Sequence, residues 1–434
     1  MEFSAAVREA NLEQMKGGLF DVIVIGGGIT GAGIARDAAI RGLSVVLVEK
    51  GDFASGTSSR SARMIHGGLR YLAHRQFRLV LSACAERNRL GKLAPRLVRP
   101  IAFTFPVYWH STNSLLKIRL GMWLYYFLGL FRNIKRHRIL NPAQTARLEP
   151  ILPPQGLVGA AHYYDCLVDD ARLTLATIQS AYQHGALVAN YAQVSGLLKE
   201  NGKVSGIQVL DRLSGETFTV RARATVNATG VWVDQVRHMD DSDAEEIIRA
   251  NRGSHLVLPR EKLNIQSAVA FIGADNNRAI YAVPWEETCI VGTTDVDHSG
   301  DLDEVTVTTQ EVESLLNSTN FMFPGANLRL DDIISTFAGL RPLIDEKGKT
   351  PYQVSRDHQI IESQAGLISI AGGKLTTYRR MAEDLVDLVS ERLEEGFGIR
   401  AAQNNKSDQV SLTDASFDPE SKLAELAEAY PNVD

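Results

Sequence analysis

Only three cysteines occur in 434 residues. Cys84, Cys166 and Cys289 lie far apart with no CxxC or metal-ligand spacing, which excludes a disulfide framework and a thiolate metal site. They read as buried thiols of a reducing compartment. A basic surplus is also lacking: 46 Lys and Arg face 51 Asp and Glu, for a net charge of −5. The chain is therefore not composed as a nucleic-acid binder, and an anionic ligand must be met by a local cluster of cations. No long hydrophobic run is present. The longest uncharged apolar stretch, LGMWLYYFLGLF from Leu120 to Phe131, rises about 18 Å as a helix, short of the roughly 30 Å of hydrocarbon it would have to cross. The N-terminal stretch carries Glu2, Arg8, Glu9, Glu13 and Lys16 without an apolar core of signal-peptide length, so export is not expected. Internal repeats and low-complexity tracts are absent as well.

What the chain does have is a 44% hydrophobic content and a length that predicts two or three domains around a sizeable core. The segment from Asp21 to Lys50, DVIVIGGGITGAGIARDAAIRGLSVVLVEK, then holds every part of a dinucleotide site. An apolar strand ends in Gly26-x-Gly28-x-x-Gly31, a helix follows and stops at Gly42, and a second apolar strand ends in Glu49. Gly26 permits the tight turn, Gly28 leaves room for pyrophosphate, and Gly31 lets the helix pack close to the strand. The helix N-terminus offers free N–H groups to the phosphate, while Glu49 suits an adenosine ribose and disfavours a 2′-phosphate. This segment alone does not separate NAD from FAD.

The rest of the chain separates them. A serine-rich loop from Asp52 to Arg63 leads to IHGGLRYL, and a helical period covers Phe77 to Leu97. Leu140 to Pro154 is punctuated by proline and reads as a connector. Asp169 and Asp170 cap a helix that stops at Gly185. Short strands separated by turns occupy Ala186 to Val220, ATVNATG brings a second small-residue turn, and Gly253 to Thr294 is strand-rich. Glu311 to Thr319 is helical, and ISIAGGKLTTYRRMAEDLVDLVSERLEEG repeats strand, glycine turn and helix near the end. A common NAD domain closes contiguously; two glycine turns at opposite ends of the chain, with strand-rich blocks between, are the organisation of FAD proteins.

The motifs GGGITGAGIARDAAIRGLSVVLVEK, GTSSRSARMIHGGLRYL, RGSHLVLP, VGTTD, AGLRPL, SRDH and AGGKLTTYR together resemble the FAD-dependent, quinone-linked glycerol-3-phosphate dehydrogenases and their oxidase relatives. The resemblance runs in order to about Glu395. It implies an α/β fold: a Rossmann-like FAD-binding domain of the glutathione-reductase or DAO type, interleaved with a substrate domain whose antiparallel sheet roofs the flavin. On that basis the chain divides into an N-terminal extension (1–19), a discontinuous FAD-binding part (20–100, 155–250 and 330–400), a substrate- and membrane-facing part (101–154 and 251–329) and a polar tail (401–434). Family members continue into a helical C-terminal region, so the tail reads as the start of one that is cut or absent.

The resemblance also implies oxidation of sn-glycerol 3-phosphate to dihydroxyacetone phosphate, with electrons passed to membrane quinone. Gly26, Gly28, Gly31, Glu49 and Lys50 would serve the ADP portion. Thr57, Ser58, Ser59, Arg63, His66, Gly67 and Gly68 would line the pyrophosphate and flavin, Val194 would meet adenine, and Gly230, Gly373, Lys374, Leu375 and Thr376 would approach from the other side. For the substrate, Arg70, Tyr71, His255, Thr294, Arg341, Arg356 and Lys374 match the pocket positions. Arginine binds phosphate oxygens bidentately and lysine adds a point charge, which suits a nearly dianionic ester. The base should titrate near neutrality, leaving His66 and His255 as candidates, and Arg341 would stabilise the developing oxyanion. No metal is expected.

Plainer roles exist for several of these residues. His255 begins a strand and serves equally as a structural hydrogen-bonding group, while Arg341 and Arg356 alone read as surface charges. The stretch Leu115 to Arg138 is either a core helix or an interfacial one, and Trp123, Tyr125, Tyr126, Arg132, Lys135, Arg136 and Arg138 favour the latter. Expected partners are therefore glycerol 3-phosphate, quinone and the inner face of the cytoplasmic membrane, where the chain would be peripheral, with a homodimer left open. The alternatives are an oxidase that releases peroxide, an amino-acid or sarcosine-type oxidase, and a non-catalytic flavin-binding subunit.

Overall fold

The computed structural model describes residues 3–72, 75–111, 113–130, 133–274, 278–346, 348, 354, 356–402, 406–412 and 419–430. The fold is α/β, built on an eight-stranded and a ten-stranded sheet. The continuous apolar runs DVIVI and VVLV become the parallel neighbours Leu19–Ile25 and Val45–Val48. Strands covered by helices on both faces carry such runs in place of an alternating pattern. Five parallel strands follow in the order Leu367–Gly372, Thr217–Asn227, Leu19–Ile25, Val45–Val48 and Leu187–Ala189. Their C-terminal ends therefore collect both glycine turns and the Ala228–Gly230 turn along one edge, where open α/β sheets bind ligands.

Helix Ile29–Ile40 lies between helices Asp170–Gln183 and Tyr378–Phe397. Its facing residues Ala32, Ala35 and Ala38 allow that close approach, and Leu385, Val389 and Leu393 of the last helix are fully buried in the same core. Each such aliphatic side chain contributes about 1.5–3 kcal/mol on burial. The series of strands expected over Ala186 to Val220 is divided at Tyr191, which adopts φ +51°. Leu187–Ala189 joins the parallel sheet, whereas Ala192–Glu200, Lys203–Asp211 and Thr217–Asn227 form antiparallel pairs.

In the second sheet, Ile248–Pro259 pairs along most of its length with Ser335–Ile344, from Ile248 opposite Ile344 to Val257 opposite Ser335. Val98–Tyr108 pairs likewise with Leu157–Val168. The sheet is antiparallel except where Ala268–Ile272 runs parallel to Val98–Tyr108. Leu157–Val168 and Ser335–Ile344, grouped by the sequence with the nucleotide-binding segments, thus hydrogen-bond into the opposite sheet. Other strands, helices and loops separate them from their partners along the chain, and no local periodicity records such a pairing.

The stretch from Leu140 to Pro154 is more than a connector. Asn141 caps a helix, Pro142–Leu148, through a capping box with Gln144, and Pro142 occupies the first turn, where its missing N–H costs nothing. Helix Leu115–Leu128 buries Met122 and Tyr125 but leaves Leu116, Leu120 and Phe127 at 67%, 63% and 60% exposure. Among the described residues no helix is long and apolar enough to cross a membrane. The polar tail begins with a docked segment: Arg36 donates to the carbonyl of Ser407 at 3.0 Å, and Leu412 N donates to the carbonyl of Leu93 at 2.8 Å.

Candidate functional site

A continuous cavity of about 720 Å³ lies between the two sheets, within the range of ligand pockets. One part of its wall is a backbone cradle. Gly26 holds φ +110°, and a Cβ there would come within 2.7 Å of the Ala228 carbonyl oxygen; a Cβ on Gly31 would come within 1.9 Å of the Gly26 oxygen. With side chains excluded at both positions, Gly28, Ile29 and Thr30 form the wall at the start of the Ile29–Ile40 helix. Glu49 is fixed beside them, accepting from Gly27 N at 2.7 Å and from Gly51 N at 2.8 Å. Lys50 lies 4.1 Å from the Trp232 ring centroid and pairs with Asp303 at 2.5 Å. Val194, Gly230, Thr57 and Ser58 complete this part. Ser58 Oγ accepts from Ile29 N at 2.9 Å, and Thr57 Oγ1 donates to the Leu340 carbonyl at 2.6 Å, tying the cradle to the strand that carries Arg341.

The same cavity reaches His66, Tyr71, His255, Thr294, Arg341, Arg356, Gly373, Lys374, Leu375 and Thr376. Lys374 Nζ stands 4.6 Å from the Tyr71 ring centroid, and His66 N donates to Thr376 Oγ1 at 3.2 Å. Arg341 donates to Asn251 Oδ1 at 2.6 Å, Thr293 Oγ1 at 2.8 Å and the Thr294 carbonyl at 3.2 Å. His255 stacks on Phe337 with centroids 4.6 Å apart, and neither ring nitrogen has a hydrogen-bond partner among the described residues. Complete burial, with Arg341 and Arg63 close by, drives its pKa down to about 3, so the imidazole is neutral at physiological pH.

Other expected positions stand behind this wall. Gly31, Ser59, Arg63, Gly67 and Gly68 do not line the cavity, and Arg63 packs its guanidinium 4.4 Å from the Trp285 ring centroid. The side chain of Arg70 lies outside the described residues. The hydroxyl of Thr294 is already engaged with Glu311 at 2.7 Å.

Sequence reasoning missed several groups. Trp232 lines the cavity two residues after the ATG turn, where spacing alone would have pointed to it. Asp165 accepts from Gly67 N at 3.3 Å and from the Tyr125 hydroxyl at 2.9 Å, and forms a buried ion pair with Arg87. It thereby braces the turn that carries His66 and Tyr71, and no sequence motif marks it. All three cysteines are buried, which pushes Cys84 up to about 11 and Cys166 and Cys289 up to about 12; they are thiols, not nucleophiles.

The FAD dependent oxidoreductase family model matches residues 21–379. The aerobic glycerol-3-phosphate dehydrogenase of Staphylococcus epidermidis is 38% identical over 401 residues, which cover 92% of this chain and 72% of that protein. The glycerol-3-phosphate dehydrogenase of Bacillus halodurans, solved in complex with FAD, has a TM-score of 0.80 at 34% identity, covering 99% of this chain and 75% of its own. L-alpha-glycerophosphate oxidase from Mycoplasma pneumoniae, with FAD bound, shares the fold at a TM-score of 0.67 and 18% identity, over 86% of this chain and 95% of that one. The cofactor is FAD, and the glycine cradle, Glu49 and the turns at Gly230 and Gly373 share one wall of the cavity. The chain belongs to the FAD-dependent oxidoreductase family, in its glycerol-3-phosphate dehydrogenase branch.

Proposed function

We propose that this chain oxidises sn-glycerol 3-phosphate to dihydroxyacetone phosphate and passes the electrons to membrane quinone. The observation that carries the reading is one cavity that joins a dinucleotide cradle to Arg341, Arg356, Lys374 and a neutral, buried His255. Bound FAD supplies the acceptor for the hydride leaving the substrate's C2. Lys374 and Arg356 offset the charge of the phosphate ester, and Arg341, held by Asn251 and Thr293, faces the oxygen on which charge develops. Of the two histidines expected as base, His255 is preferred, because its ring borders the cavity and its nitrogens have no hydrogen-bond partner among the described residues; its pKa of about 3 departs from the near-neutral value expected of the base, and the negative charge of the arriving phosphate would raise it. The ten-stranded sheet is then the substrate half and the eight-stranded sheet the FAD half. A carboxylate substrate needs one cation, so the cluster favours a phosphate ester over an amino acid.

Quinone as acceptor rests on helix Leu115–Leu128, whose exposed Leu116, Leu120 and Phe127 are flanked by Arg119 and Arg136. That combination suits the headgroup boundary of an anionic bilayer and a peripheral seat on its cytoplasmic face. In co-sedimentation with anionic vesicles, Leu120→Glu should lower the bound fraction severalfold while steady-state reduction of a soluble dye is retained. Equal sedimentation of both proteins, or none by either, contradicts membrane contact at this helix. Stoichiometric peroxide on adding glycerol 3-phosphate, with no quinone reduction, would instead make the chain an oxidase.

A further inference from the structure

Glu311 lies in the first turn of helix Thr309–Met322, in a capping box with Thr308: its Oε2 accepts from Thr308 N at 3.2 Å and from Thr308 Oγ1 at 2.9 Å. Either Glu or Gln serves such a cap. The second oxygen makes contacts that a cap does not require. Glu311 Oε1 accepts from Ser254 Oγ at 2.8 Å and from Thr294 Oγ1 at 2.7 Å. Ser254 N in turn donates to Thr294 Oγ1 at 2.8 Å. One carboxylate thus grips the residue next to His255 and the residue whose carbonyl receives Arg341.

The charge state of Glu311 follows from its surroundings. Burial works against ionisation, but the hydrogen bonds from Thr294, Ser254 and Thr308 outweigh it and hold the carboxyl below its ordinary value. An ionised carboxylate only accepts, so the hydroxyl protons of Ser254 and Thr294 are both committed to it. Thr294 Oγ1 also receives the Ser254 N–H, which leaves it a lone pair and no proton for any further partner. A threonine held in this way cannot donate to a phosphate oxygen. It can accept from a hydroxyl, and Thr294 lines the cavity.

We propose that Glu311 is a positioning residue that fixes Thr294 as a hydrogen-bond acceptor for the substrate hydroxyl that is not oxidised. The proton of the oxidised C2 hydroxyl is destined for the base, so the terminal C1 hydroxyl is the donor left for Thr294. The inference rests on the proposed oxidation of glycerol 3-phosphate and adds a determinant of specificity. The cavity selects three-carbon phosphate esters that bear a terminal hydroxyl, because without one the remaining lone pair of the Thr294 oxygen is desolvated with no donor to fill it.

Anaerobic flavin reduction by glycerol 3-phosphate and by propane-1,2-diol 1-phosphate, which lacks only the C1 hydroxyl, tests this. The wild-type holoenzyme should prefer glycerol 3-phosphate by about tenfold to a hundredfold in reduction rate over half-saturating concentration. Glu311→Gln keeps the cap but presents an amide N–H₂ to the two hydroxyls, turning the Thr294 proton outward, and Thr294→Val removes the acceptor. Both should bring the preference close to one, while Thr308→Ala, which weakens only the cap, and Thr294→Ser should keep it. A wild-type protein that reduces with both esters equally, or a Thr294→Val or folded Glu311→Gln variant that keeps the preference, overturns the inference; should Glu311→Gln fail to fold, the valine variant still decides whether Thr294 is the acceptor. If glycerol 3-phosphate leaves the wild-type flavin oxidised, the proposed activity fails first and this inference with it.

Discussion

At the dinucleotide end of the cavity, Gly26, Gly28 and Gly31 shape the wall by having no side chains, and Glu49 is tied to backbone N–H groups. At the end proposed for the substrate, the wall includes polar side chains held by others, Arg341 by Asn251 and Thr293 and Thr294 by Glu311, and the Gly67 turn behind it is held by Asp165 and its partner Arg87. The two ends should therefore fail in different ways. At Gly26 and Gly31 the cradle tolerates no added atom, because the nearest atoms it would strike belong to the main chain. A cage of paired charges keeps its shape when one member is trimmed but loses the chemistry of that member.

The largest expected effect falls on the cradle. In Gly31→Val the new Cβ alone would stand 1.9 Å from the Gly26 oxygen, so the turn must move, and the purified protein should carry no flavin by its visible absorbance. A yellow Gly31→Val protein would break the contrast between the two ends. Next comes Arg341→Ala, which should retain flavin at wild-type stoichiometry while kcat/KM for glycerol 3-phosphate falls on the order of a hundredfold to a thousandfold. Loss of flavin from that variant would mean that the substrate end also holds the cofactor's shape.

A smaller effect concerns pH. The His255 pKa is about 3 in the folded chain against an ordinary 6.5, so the unfolded state takes up a proton where the folded state does not. The stability linked to this histidine is fully present above 6.5 and is lost as the pH falls from there through about 3. His255→Phe removes that term. The Tm of the variant should consequently decline less steeply with acidification than that of the wild type, and parallel declines would show that His255 is not buried as a neutral ring.

The same contrast explains what the sequence could disclose. The segment from Asp21 to Lys50 was legible because strand, turn and helix are contiguous and every glycine has a local reason. AGGKLTTYR was legible for the same cause, and His66, Tyr71, Lys374 and Thr376 do meet at one cavity. The pairing of Ser335–Ile344 with Ile248–Pro259 was not legible, since it joins segments far apart in the chain. Glu311 announced itself only as a helix start: a T-x-x-E box has the same spelling whether its second oxygen faces water or two buried hydroxyls. Asp165 carried no signal at all, because its importance lies in three neighbours from three different segments. Pro142 misled in the opposite direction, reading as a breaker where it opens a helix.

Anaerobic titration of the purified holoprotein with glycerol 3-phosphate, followed by the visible flavin spectrum and by product assay, bears on both ends of the cavity at once. The expected result is bleaching of the flavin with one dihydroxyacetone phosphate formed for each flavin reduced. A flavin that stays oxidised in excess substrate, in a protein that dithionite reduces normally, would contradict the assignment.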